Sequence, residues 1–111
     1  MAYDEVLAAR IRDLMAGEPV VEQKMFGGLA FLLGGHMSVA ASGQGGLLVH
    51  VEPVESEALL AVPGVGLMQM GDRAPMAGWL RVAAGVVAED AALKEWVDRG
   101  LAHARSLPPK Q

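Results

Sequence analysis

Two periodicities divide this chain. From residue 3 to 16 the apolar positions Tyr3, Val6, Leu7, Ile11, Leu14 and Met15 recur at three- and four-residue spacing, which places them on one helix face. Arg10, Arg12 and Asp13 fall on the wet side, Gly17 offers a C-terminal cap, and Pro19 forbids continuation. The period then drops to two. Residues 20–26 predict a strand with Val21, Gln23 and Met25 on one face and Val20, Glu22, Lys24 and Phe26 on the other. Residues 28–33 and 36–42 predict a hairpin closed at Gly34-Gly35, a primed turn that needs positive φ. In its second arm Met37, Val39 and Ala41 share a face. A glycine-rich turn leads to a strand over 47–51, with Leu47, Val49 and Val51 pointing one way and Leu48 and His50 the other.

Pro53 suits the first turn of a helix over 53–61, which Val62-Pro63-Gly64 ends. Residues 65–70 and 78–82 predict two more strands, joined by the polar loop Gly71-Asp72-Arg73-Ala74-Pro75. A last helix over 90–106 carries the stripe Leu93, Trp96, Val97, Gly100, Leu101 and Ala104, with Asp90 as its cap or dipole partner. Sequential strands joined by tight turns imply an antiparallel sheet. The expectation is one α+β domain over 1–111: a sheet of about six strands, a helix at each end, and one between strands 4 and 5. A doubly wound parallel fold needs strand–helix alternation, which the pattern lacks.

Composition narrows the chemistry. There is no cysteine, so disulfides, thiolate zinc sites and cysteine nucleophiles are excluded, in keeping with a reducing cytosol. The net charge is −4 and the nine Lys and Arg are scattered, so direct nucleic-acid binding by this domain alone is not expected. The longest apolar run, 27–35, is too short to span a bilayer, and the charged, amphipathic N-terminus is unlike a signal peptide.

Candidate site residues each carry two readings. The pair Gly27-Gly28 is no P-loop, because GxxxxGK[ST] is absent, and a strand rather than a helix follows it; a bulge or tight turn explains it. Lys24 and Phe26 sit at i, i+2, either as an exposed cation–aromatic pair that docks a partner or as a core Phe beside a snorkelling Lys. Asp72 and Arg73 either grip a small anion or partner or form a wet turn. These four make the candidate partner surface. His50 and Glu52 have the i, i+2 spacing of two ligands on a strand, and His36 is the other histidine considered with them; two ligands without a third make a poor zinc site. His103 has an electrostatic reason to lie near a helix C-terminus. Met68 and Met70, with Met25, Met37 and Met76, either line an adaptable binding face or fill gaps in a core. Trp79 and Trp96 read as core anchors. No GxSxG elbow occurs, and Glu55 and Glu57 are two apart on a helix and so do not face each other.

Taken together, YDE from Tyr3, KMFGGLAF from Lys24, GHM from Gly35, GLLVHV from Gly46, PM-x-GW from Pro75 and WVDRGLAHARSLP from Trp96 resemble the N-terminal domain family of TfoX/Sxy, the bacterial competence regulators. The resemblance runs from Tyr3 to about Pro109, and KMFGG followed by PMAGW is its most specific part. It implies a small α+β domain with an antiparallel sheet, in a cytoplasmic protein linked to transcriptional control of DNA uptake, with no established active site. The longer regulators carry a second, C-terminal helical domain; this chain is expected to be the first domain standing alone. The expected function is a non-enzymatic regulatory protein-interaction domain with no cofactor and an unknown, transcription-related protein partner. The alternative is a small-ligand or metal-binding domain using the methionine-rich sheet face or His36, His50 and Glu52. A homodimer through a sheet edge fits either.

Overall fold

The computed structural model describes residues 3–25, 27–43, 45–68 and 78–108. The elements run α1 (Glu5–Leu14), β1 (Val20–Met25), β2 (Gly28–Leu33), β3 (His36–Ala41), β4 (Leu47–His50), α2 (Pro53–Leu59), β5 (Val65–Leu67), β6 (Trp79–Val82) and α3 (Asp90–Ser106). The α+β class, the element order and the single antiparallel sheet match the sequence pattern.

The helix ends differ from the periodicity, and capping explains why. Asp4 lies outside α1 and its Oδ1 accepts from the amides of Val6 at 2.9 Å and Leu7 at 3.1 Å. α1 buries only Leu7, Ala8 and Ile11, with Met15 just beyond it, while Val6 is 71% exposed. The stripe that meets the protein is narrower than the apolar pattern, so the flanking Val6 and Leu14 stay in water. α2 stops two residues short of the expected end. The N-cap of α3 is Glu89, without a side-chain cap bond; Asp90 sits in the first turn and accepts from Arg10 at 2.9 Å.

The sheet order is β1-β2-β3-β4-β6-β5. Inserting α2 lets β5 land outside β6, so β4 pairs with β6 and β5 forms an edge. One register row crosses the helix-covered face: Glu22, Phe31, Val39, Val49, Leu80 and Leu67. Phe31, Val39, Val49 and Leu80 are fully buried, against Ile11 of α1 and Leu93 and Val97 of α3. The other face holds a smaller cluster of Ala30, Met37, Ala40, Leu48 and Met68.

Met37 does not share a face with Val39 and Ala41, as simple alternation predicts. The register shifts between Phe31 and Leu32, so Phe31 pairs with Val39 while Leu32 pairs with Met37. Ser38 is the extra residue of this bulge, and its Oγ donates to the Phe31 carbonyl at 2.8 Å. α3 lies directly on that bulge. A Cβ on Gly100 would stand 2.4 Å from the Ser38 carbonyl oxygen, so only glycine lets helix and strand backbones meet.

Gly100→Ala therefore has two opposed effects. Alanine favours the helix by about 1 kcal/mol, whereas overpacking costs about 1–3 kcal/mol, here against backbone that yields little. The variant is expected to unfold at lower urea than the parent. Gly85→Ala, with nothing within 4 Å of the added Cβ, should leave the midpoint unchanged or raise it. An unchanged midpoint for Gly100→Ala would show that the helix can lift off the bulge freely.

Candidate functional site

Three rings meet at one end of the sheet. His50 closes β4 and Trp79 opens β6, and the register makes them cross-strand partners. Their rings stack with centroids 3.9 Å apart and planes 10° from parallel. His103, near the C-terminal end of α3, meets the His50 ring edge-on at 4.4 Å. His103 is buried, and its Nδ1 has no hydrogen-bond partner among the described residues. Beside it runs a groove of about 220 Å³ between α2 and α3, lined by Glu52, Glu55, Arg99, Ala102, His103 and Ser106. The guanidinium of Arg99 lies over the Trp96 ring, 4.7 Å from its centroid. Carboxylates therefore line one wall and a guanidinium the other, which suits recognition of a small polar molecule.

The serines near these elements are engaged with main chain. Ser106 Oγ donates to the His103 carbonyl at 2.6 Å, Ser56 Oγ to Pro53 at 2.7 Å, and Ser38 Oγ to Phe31 at 2.8 Å. His36 is held elsewhere, with Nε2 donating to the Pro108 carbonyl at 2.6 Å. Among the described residues no group of three or more His, Asp or Glu side chains converges to hold a metal ion, so His36, His50 and Glu52 are not brought together as a ligand set. His50 has His103 as its neighbour instead, a residue the spacing argument had set aside. The signal was present in part: Trp96, Arg99 and His103 recur at i, i+3, i+7 along one side of α3. The pairing of β4 with β6, which brings Trp79 to His50, has no local signature.

The second candidate place is the outer edge of β1. Lys24 is exposed there and has no ion pair among the described residues. Val21 is 63% exposed. Glu22 is gripped by Arg12 of α1, with Nε at 2.6 Å from one carboxylate oxygen and Nη2 at 2.8 Å from the other. That hydrogen bonding holds the Glu22 carboxyl below the usual carboxylate range and raises Arg12. Of the four candidate partner residues, Lys24 is placed on this edge, and Phe26, Asp72 and Arg73 lie outside the described residues. Met70, Met76 and the side chain of Met25 lie outside them too, while Met37 and Met68 are buried. The glycine pair has a backbone cause. Gly27 adopts φ +73°, and a Cβ on Gly28 would stand 2.1 Å from the Ala41 carbonyl oxygen.

Among known families, the TfoX N-terminal domain matches residues 12–104. No curated protein and no solved structure matches the chain. No helix among the described residues is long and apolar enough to cross a membrane.

Two outcomes follow from the site's polar groups. His103→Phe keeps an aromatic edge against His50 and removes a buried nitrogen without a partner among the described residues, a group that typically costs about 1–3 kcal/mol when unsatisfied. Its thermal midpoint is expected to equal or exceed the parent's; a clear drop would mean that the nitrogen is satisfied in solution. Glu22 has a folded pKa below its unfolded value, so its contribution is present above the unfolded carboxylate pKa of about 4.3 and is lost as pH falls through the folded value. Glu22→Gln should melt slightly below the parent at neutral pH, with the gap closing in acid. A gap independent of pH would mean that the charge is not its source.

Proposed function

The chain belongs to the TfoX N-terminal domain family, and from that premise we propose that it is a cytoplasmic regulatory domain that acts by protein contact rather than by catalysis. The observation that carries this reading is the β1 edge. β1 stands at the end of the sheet order, so among the described residues no strand pairs with its outer side. It is six residues long, and Val21, Glu22, Gln23 and Lys24 are exposed along it. An edge of this length can accept an extended segment through main-chain hydrogen bonds, with flanking side chains setting specificity. Lys24 is the charge on that edge without an ion pair among the described residues, and Phe26, Asp72 and Arg73 are the further residues we propose for the contact.

A second reading, a small-ligand domain, is favoured by the buried Nδ1 of His103 beside the α2–α3 groove. A polar ligand reaching that nitrogen would relieve an unsatisfied group. Native mass spectrometry separates the two readings, because a bound small molecule adds mass to the purified chain.

The contact reading is tested by affinity capture with quantitative mass spectrometry, comparing the parent with Lys24→Glu after circular dichroism has shown equal folding. The expected result is a defined protein recovered with the parent and depleted with the variant. Equal recovery with both would move the contact surface away from β1.

A further inference from the structure

We propose that the outer edge of β1 pairs antiparallel with β1 of a second copy of this chain, in one register centred on Gln23. This rests on reading β1 as a contact edge and names its occupant.

The backbone decides which groups are on offer. β1 and β2 are in register from Val20 opposite Leu33 to Met25 opposite Gly28, with two residues between the closing pair. The closing pair of such a hairpin exchanges both backbone bonds, and bonded and non-bonded pairs then alternate. Met25, Gln23 and Val21 accordingly turn their N–H and C=O groups toward β2. Lys24, Glu22 and Val20 turn theirs outward. Val20 confirms this parity, since its N–H goes to the Glu18 carbonyl at 2.8 Å and not to β2. The amides and carbonyls of Glu22 and Lys24 are thus the central outward groups of the edge.

Charge then selects the register. A two-fold axis can set Glu22 opposite Glu22 of the copy, Lys24 opposite Lys24, or Glu22 opposite Lys24. The first two place like charges directly across from each other, which disfavours pairing. The third makes two opposite-charge pairs at once and lets Glu22 and Lys24 of each copy exchange both backbone bonds with their counterparts. Gln23 then faces Gln23, and Val21 faces Met25. Both charged positions lie on the helix-covered side of the sheet, the side from which Arg12 reaches Glu22. The incoming lysine joins a carboxylate already held in place by Arg12, so little of that side chain's freedom remains to be lost. Self-complementarity of one strand with itself is what an isologous two-fold contact requires.

Sedimentation velocity on the full chain across a concentration series tests the pairing. The parent is expected to convert from monomer to dimer as concentration rises. Lys24→Glu and Glu22→Lys should each raise the dimer dissociation constant by about tenfold or more. The triple variant Arg12→Glu, Glu22→Lys and Lys24→Glu reverses every charge of the arrangement, keeps position 22 paired with position 12, and should recover the dimer. Lys24→Pro removes an outward N–H that β2 does not use and should give a folded monomer, as checked by circular dichroism. A parent that stays monomeric at millimolar concentration overturns the proposal. So does a dimer indifferent to Lys24→Glu and Lys24→Pro, and so does a triple variant that stays monomeric although folded. A monomeric parent whose captured partner still depends on Lys24 leaves the contact reading standing and removes only the self-pairing. A charge-rescued dimer whose captured proteins ignore Lys24 does the reverse.

Discussion

Gly100 sets the α3 backbone against the carbonyl of Ser38, at the point where β3 carries one residue more than β2. Bulge and glycine depend on each other. The bulge presents a main-chain oxygen to the helix, and the missing side chain lets the helix come down onto it. Dispersion contacts fade within an ångström of extra separation. A helix riding higher would therefore loosen Leu93, Val97 and Leu101 together against Phe31 and Val39. The same height governs what happens past Gly100. It brings His103 to His50, Arg105 to Glu18, and the Pro108 carbonyl to His36. Three contacts at and just beyond the end of α3 are thus made at the helix height that Gly100 permits.

The apolar layer beneath that helix ends one strand early. Along the row that crosses the sheet, Phe31, Val39, Val49 and Leu80 are fully buried, yet the next position outward is Glu22. The row beside it ends the same way, from Leu29 to Lys24. α1 answers Glu22 with Arg12 rather than with an apolar side chain. β1 is thus held chiefly by its ladder to β2 and by an ion pair open to solvent, which is worth little on its own. Among its described side chains only Val20 packs against the core.

How far the sequence could be read follows from the same division. Elements with an unbroken period of their own were legible, including α3 over its full length and the Gly34-Gly35 hairpin, whose glycines adopt φ +61° and +83°. Two features escaped because they depend on partners distant in sequence. The bulge shifts Met37 to the opposite face, and nothing local in HMSVAA separates a bulged strand from a regular one. The meeting of His50, Trp79 and His103 needs the β4–β6 pairing and the height of α3, both tertiary facts. Lys24 was legible as a candidate because an edge position and a solvent position look alike in alternation. Its neighbour Glu22 was assigned only to the face of Val20 and Lys24, although a charge on that face is what marks the middle of β1 as lying beyond the core.

The two edges of the sheet are unequal, and this bears on how an open edge can be kept without runaway assembly. β5 offers three residues with Gly66 at their centre, a short template with no side chain to pack in its middle. β1 offers six, with an acid and a base two positions apart on one face. A charge on an edge strand usually works by exclusion, since an incoming strand must desolvate it. Two opposite charges in this spacing exclude more selectively: they disfavour a strand that brings like charges opposite them and favour one that brings opposite charges in reverse order. A second copy of β1 is such a strand. In the proposed self-pairing the contact consumes the long edge of both copies, and three-residue β5 is a poor template for continuing the series. In that proposed pairing the pattern Val-Glu-Gln-Lys-Met serves as both guard and address.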